Sequence, residues 1–450
     1  MQHIQGISRH QLQMSSLEDK ITADNPVRFI DAFVNHIDPV KIGFQPKILK
    51  TEGRPNFRLE VFLKLYLYGY LNGVRSSRRL EKECFRNIEV QWLLEAIYPN
   101  YHSIADFRKD NPKALKQLFK LFVSFLKDAE LIAGDTIAID GTKSRAHNSK
   151  KANYNQKKID KHKAYIDAKS QEYLDQLEQN DIQENPVVIK NIQQKIEGLK
   201  QNKIKYELLE EELKNSGEPQ ISTTDADARA LLVQGQVVEV SYNIQAAVDS
   251  KHNLVVATHT INRNDKNALA AIALEVKENL ALETFTVLVD KGYHNGRELH
   301  TCKQNNITTI VAVPEQGKSN ENGTQPEYLV SKFIYNKENN SYTCPEGKTL
   351  TTTGSWHKKT GRTEESGYNF QKYRTPACKT CLVKGLCTSR NGGREIDRSQ
   401  YADAVEENHQ RYKDNPQLYR KRQEINEHIF GTIKRKWGYN YTDLVGLEKV

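Results

Sequence analysis

At 450 residues the chain is too long for one ordinary hydrophobic core, so two or more domains are expected. Charged residues make up 27% and the formal net charge is +9, an excess that suits a polyanionic partner without demanding one. The sequence has no apolar run of about 18 residues, and Met1-Gln2-His3-Ile4-Gln5 is not a basic-then-apolar leader. The expectation is a soluble, cytoplasmic protein.

Residues 15–130 read as helical. Phe57 to Leu71, rich in Leu, Tyr and Phe, predicts a buried or amphipathic helix that breaks at Asn72-Gly73. Ser76-Ser77-Arg78-Arg79-Leu80-Glu81 then opens a second helix with hydroxyl caps. Val90 to Ile97 is a third stretch, and a further helix runs through Leu126. Helix, glycine turn, then a helix with basic residues near its start resembles a helix-turn-helix. A plain bundle with solvated arginines fits the pattern equally well.

From Asp135 the texture changes to strands. Candidates are Thr136–Asp140, Val237–Asp249 and Leu254–Ile261, the last two joined by the hairpin signal Ser250-Lys251-His252-Asn253. A helix over Asn267–Leu280, a strand over Phe285–Asp290, a helix over Gly296–Gln304 and a strand over Thr308–Val313 follow. Hairpin first and βαβ afterwards is the order of a ribonuclease H-like mixed α/β fold. In that fold the first and fourth strands are neighbours, which would bring Asp140 beside Asp290.

Two insertions interrupt this core. Residues 150–218 are highly charged, with Ile159, Ile166, Tyr173 and Leu177 on one stripe, and Ile189, Ile192, Ile196 and Leu199 on another. Pro186 marks the break, so a helical hairpin is predicted, its stripes serving packing. Residues 316–396 open with a polar segment spanning 315–323 and carry Cys344-Pro345-Glu346-Gly347, Cys378-Lys379-Thr380-Cys381 and Cys387. Four thiolates can bind Zn²⁺ tetrahedrally in a closed structural site, so a zinc-ribbon-like cluster is expected. Cys84 and Cys302 are expected to be buried. The expected division is 1–128 as a helical, helix-turn-helix-like domain; 129–149, 219–315 and 397–450 as the ribonuclease H-like core; and the two insertions, 150–218 and 316–396.

The acidic residues carry the chemistry. Val287-Leu288-Val289-Asp290-Lys291-Gly292 and Ile137-Ala138-Ile139-Asp140-Gly141 each predict a strand that stops on a carboxylate. Glu427 lies in the helical stretch Glu427-His428-Ile429-Phe430-Gly431-Thr432-Ile433-Lys434. Converging carboxylates are what a pair of hard Mg²⁺ ions requires for phosphodiester chemistry, with Mn²⁺ as a substitute. Lys143, Arg145 and Lys291 stand near the aspartates, where they can neutralise phosphates. Arg420 and Lys434 fall on the face of Glu427 at helical spacing. Taken singly, each aspartate also fits a turn or cap, and the helix an ordinary solvated face.

These segments together resemble a DDE transposase of bacterial insertion sequences, from the branch with a Y-x₂-R-x₃-E-x₆-K signature. The resemblance covers nearly the whole chain. Asp140-Gly141-Thr142-Lys143 and Asp290-Lys291-Gly292-Tyr293 match its two aspartate motifs, and Glu427 to Lys434 the third. The stretches around Arg78-Arg79 and Ser103–Arg108 resemble its N-terminal DNA-binding domain, and the cysteines resemble an insertion seen in some members. Tyr419 and Arg422 keep the signature's mutual spacing but lie one residue too far from Glu427; the signature's own positions fall on Arg420 and Gln423.

The resemblance implies that Asp140, Asp290 and Glu427 bind two Mg²⁺ for DNA cleavage and strand transfer. It also implies that Lys434 positions flanking DNA, that the N-terminal helices read terminal inverted repeats in double-stranded DNA, and that a homodimer holds two ends. Relatives usually continue with another helix beyond the equivalent of Val450, so a truncated, DNA-binding remnant is an alternative expectation. A ribonuclease H-like nuclease without strand transfer is another.

Overall fold

A computed structural model describes the chain apart from residues 1, 2, 4, 5, 13, 46–54, 148, 149, 182–185, 235, 236, 315–323 and 362–366. The polar segment 315–323 read from the sequence lies outside the described residues. In chain order the helices α1 (Pro26–His36), α2 (Leu59–Leu71), α3 (Ser77–Arg86), α4 (Ile88–Leu93), α5 (Tyr101–Asp110) and α6 (Pro112–Asp128) come first. They are followed by β1 (Thr136–Arg145), β2 (Asn153–Tyr154), α7 (Gln156–Asp181), α8 (Pro186–Ser216), β3 (Ile221–Ser222), β4 (Arg229–Gln234), β5 (Val237–Asp249) and β6 (Val255–Ile261). Next are α9 (Leu269–Asn279), β7 (Phe285–Val289), α10 (Gly296–Gln304) and β8 (Ile307–Val311). The chain closes with β9 (Ile334–Asn336), β10 (Ser341–Thr343), β11 (Thr349–Thr351), β12 (Trp356–Lys359), β13 (Tyr368–Tyr373), α11 (Lys384–Cys387), β14 (Ile396–Ser399), α12 (Ala402–Asp414) and α13 (Pro416–Gly431).

The chain forms two compact units: Met1–Ala129 with Lys143–Tyr242 and Phe430–Val450, and Glu130–Thr142 with Asn243–Ile429. In the first unit, asparagine caps start the helices: the side chains of Asn25, Asn87 and Asn100 accept the first free N–H groups of α1, α4 and α5. The apolar run of α2 is buried, and Phe62 stacks on Phe107 with ring centroids 5.0 Å apart. A Cβ on Gly69 would stand 2.7 Å from the Val74 carbonyl oxygen, so only glycine lets the chain fold back this closely toward α3. The third helix is shorter than predicted, because Glu95 and Ala96 adopt positive φ and end it early.

The insertion α7–α8 is an antiparallel helical hairpin, with Ile159, Ile166, Ile192 and Ile196 buried. Lys163 pairs with Glu210 at 2.8 Å and Lys203 with Asp167 at 2.6 Å across it. In this unit β4 pairs antiparallel with the first half of β5.

The second unit is built on a mixed sheet ordered β6-β5-β1-β7-β8. β5 and β6 are antiparallel, while β1–β7 and β7–β8 are parallel. Ile137, Ala138, Ile139, Val287, Leu288 and Val289 are fully buried, as expected of parallel strands covered on both faces. The fold is therefore mixed α/β, and the expected first and fourth strands are paired.

One expectation needs correction. Asp140 does not end its strand, because β1 continues to Arg145. The tail provides the reason: Arg145 N–H donates to the Asn440 carbonyl at 3.1 Å, and Thr442 N–H donates to the Arg145 carbonyl at 2.8 Å. Those bonds satisfy backbone groups that would otherwise end the strand. The cysteine-bearing region carries two small antiparallel sheets, β9–β10–β11 and β12–β13–β14. Arg398, buried under Tyr335, pairs there with Asp403 and Glu406.

Candidate active site

The parallel register of β1 and β7 pairs Ala138 with Leu288, so Asp140 and Asp290 lie two residues beyond the same rung. Side chains two apart in a strand share a face, which sets both carboxylates on one side of the sheet. β7 ends at Val289, and Asp290 caps the turn that follows, accepting Gly292 N–H at 2.7 Å. Asp140 accepts Gly141 N–H at 2.8 Å. Burial pushes the Asp140 carboxyl up; Gly141 N–H and Arg422 act against this, and the charges of Asp290 and Asp265 add to the rise.

Asp265 is an acidic residue the sequence reading did not single out. Its Oδ1 accepts from Asn243 Nδ2 at 2.8 Å and Gln245 Nε2 at 2.9 Å. Both amides are fully buried on β5. The Tyr293 hydroxyl donates to Gln245 Oε1, and burial with the charges of Asp265, Asp140 and Asp290 holds its phenol well above the usual range. Gly141 leaves room for this group: a Cβ there would lie 2.3 Å from Gln245 Nε2 and 2.6 Å from Asp265 Oδ1. The legible signal was two amides at alternate positions, Asn243 and Gln245, in the buried stretch of β5.

Helix α13 presents Arg422, whose Nη1 is 3.7 Å from Asp140 Oδ2 and whose guanidinium lies over the Tyr419 ring. One turn further, Asn426 is 1% exposed, and neither atom of its amide has a partner. Spacings of three and four put Tyr419, Arg422 and Asn426 on one face. Glu427 is exposed, about 100° further round the helix. The structure thus brings Asp140, Asp290 and Asp265 together with Arg422, and it leaves Glu427 outside that group. Among the described residues, no three His, Cys, Asp or Glu side chains are disposed to hold a metal ion.

The basic candidates are dispersed. Lys291 is exposed beside Asp290, and Arg420 is exposed on α13. Lys434 lies not in α13 but in the π-helical turn Thr432–Lys436, so the regular spacing assumed between Glu427 and Lys434 fails. Its Nζ donates to the Lys143 carbonyl at 2.7 Å, and burial followed by the Lys143 charge lowers its amine. Arg145 is bound to Glu239 at 2.6 Å. Arg78 lies over Tyr101, and Arg79 is exposed.

Two family models match the chain: one described as Transposase domain (DUF772) over residues 15–110, and one described as Transposase DDE domain over residues 343–450. Over the residues they cover, the two matches support an insertion-sequence DDE transposase. No curated protein and no solved structure matches it. The first match covers the helices around Arg78 and Arg79, and the second covers the cysteines and α13.

Within the second match, Cys344, Cys378, Cys381 and Cys387 line one small cavity with Phe333 and Leu350. Lys348 N–H donates to Cys344 Sγ at 3.3 Å in a tight turn where Gly347 has a φ of 71°. Burial pushes the Cys387 thiol up, the Arg394 charge opposes it, and Cys378, Cys344 and Cys381 raise it further. No helix among the described residues is long and apolar enough to cross a membrane.

Proposed function

We propose that this transposase binds the terminal inverted repeats of its element and catalyses DNA cleavage and strand transfer at Asp140, Asp290 and Glu427. The observation that carries this reading is the level placement of Asp140 and Asp290 on paired parallel strands, as a ribonuclease H-like core would require. Transposase DDE domains work with divalent metal ions, and the donor set here suits a hard one. Its ligands are all oxygen, and three carboxylates crowd a site where their mutual repulsion calls for positive charge.

Asp140 and Asp290, with Glu427 brought in from α13, would hold the metal. A bound Mg²⁺ pair, or Mn²⁺ in its place, would supply the charge that activates a water and steadies the leaving 3′ oxygen. Asn243 and Gln245 hold Asp265 beside the pair, and Arg422 orients Asp140. Lys291 would meet the phosphate next to the cut, and Lys143, Lys434, Arg420 and Arg145 would each contact DNA backbone. Arg78 and Arg79 would contact the repeats, and two copies of the chain would hold the two ends. Cys344, Cys378, Cys381 and Cys387 are the donor types of a structural Zn²⁺ and line one cavity, and they would have to close further around an ion to hold it.

The outward Glu427 favours one other reading, a DNA-binding protein that does not cut. The test is Mg²⁺-dependent cleavage of DNA carrying the element's ends, wild type against Asp140→Asn. Cleavage by wild type alone supports the enzyme. Binding by both proteins with cleavage by neither would leave the DNA-binding reading.

A further inference from the structure

In the helical unit, Arg75 Nη1, Arg108 Nε and the Tyr439 hydroxyl are all buried and without hydrogen-bond partners. They are close neighbours. The Arg75 guanidinium is stacked 4.5 Å from the Tyr439 ring centroid and 4.4 Å from that of Tyr441. Tyr439 also feels the charges of Arg75, Arg108 and Asp443. Stacking occupies the faces of the guanidinium and directs its N–H edge toward an acceptor in the same plane. Arg108 lies over Tyr66 and is bound to the Tyr70 side chain, which leaves its Nε pointing elsewhere.

Each of the three groups without a partner can donate a hydrogen bond. The Asp443 carboxylate offsets only one of the two guanidiniums. The cluster therefore lacks an acceptor and carries excess positive charge, which together describe an oxyanion site. We infer that Arg75, Arg108 and Tyr439 bind a phosphate group, and that it belongs to a DNA backbone. Arg78, exposed in the first turn of α3 just after Arg75, adds positive charge close by in the chain. This inference rests on the proposed DNA-binding function.

The experiment measures binding of the full chain to a short duplex of arbitrary sequence as salt rises from about 50 to 200 mM. Arg75→Gln and Arg108→Gln should each weaken binding to every duplex alike and flatten the salt slope by about one. Tyr439→Phe keeps the ring under Arg75 and loses only the hydroxyl; it should weaken binding several-fold with the slope unchanged, and it serves if an arginine variant fails to fold. Wild-type affinity and slope in Arg75→Gln and Tyr439→Phe would overturn this site alone. If inorganic phosphate raises the melting temperature of wild type but not of Arg75→Gln, while the DNA slope stays the same, the site takes a free anion and the DNA assignment falls. A wild type that binds no DNA would overturn the proposed function together with this site.

Discussion

Arg422 and Asp140 face each other at 3.7 Å, Nη1 to Oδ2, and this pairing fixes which side of α13 meets the carboxylates. Tyr419 and Asn426 follow Arg422 onto that side, and Glu427 does not. If Glu427 is the third acid, α13 must rotate by one residue for it to act. The π-helical turn that follows α13 holds such a register irregularity, with Trp437 N–H bonded to the Thr432 carbonyl at 3.0 Å.

Glu427→Gln should therefore lower cleavage by about 100-fold or more, the usual scale for losing a charge-stabilising group. Asn426→Leu should raise stability by about 1 kcal/mol, because it removes a buried amide whose hydrogen bonds are unmade. Cleavage rates and thermal denaturation of both variants check this. Full activity in Glu427→Gln would move the third role to the Asn426 face.

Gly141→Ala should be costly. The added methyl would sit well inside contact distance of Gln245, Asp265 and Asn243, all held by one another. Overpacking of this kind costs about 1–3 kcal/mol, and here it would also displace Asp265 from the aspartate pair. Thermal denaturation together with Mn²⁺ binding by calorimetry would show both effects. Unchanged stability would mean that β5 yields without loss.

Zinc analysis of the purified chain should find about one ion per molecule, lost in Cys378→Ser or Cys381→Ser. Because the binding free energy of a structural zinc is also folding free energy, a strong chelator should lower the melting temperature of wild type. A metal-free wild type with the same melting temperature would show that the four thiols merely pack together.

The helical hairpin should loosen in acid. Side-chain hydrogen bonds from Lys163, Lys214 and Gln156 bring the Glu210 carboxyl from 4.5 down to about 2. A depressed carboxylate contributes stability that is present above its unfolded value and is lost as pH falls through its folded value. The expected window therefore runs from about 4.5 down to about 2. Hydrogen exchange along α7 and α8 should report it, and Glu210→Gln should flatten the response.

Local pattern carried far in this chain. The bounds of β5 and α10, the end of β7 to within one residue of the expected Asp290, and the hairpin stripes through Ile159, Ile166, Ile192 and Ile196 all follow from hydrophobic period and turn residues a few positions apart. The four cysteines were expected from their types and spacing to cluster, and they line one cavity. Long-range contacts decided the rest. β1 runs past Asp140 because Asn440 and Thr442, almost at the other end of the chain, satisfy its backbone. Asp265 joins the aspartates because amides on β5 hold it, and no spacing near Asp265 announces that. On α13 a one-residue difference turns Asn426 inward and Glu427 outward. A helix has the same backbone at every rotation, so only packing against Asp140 through Arg422 selects the face.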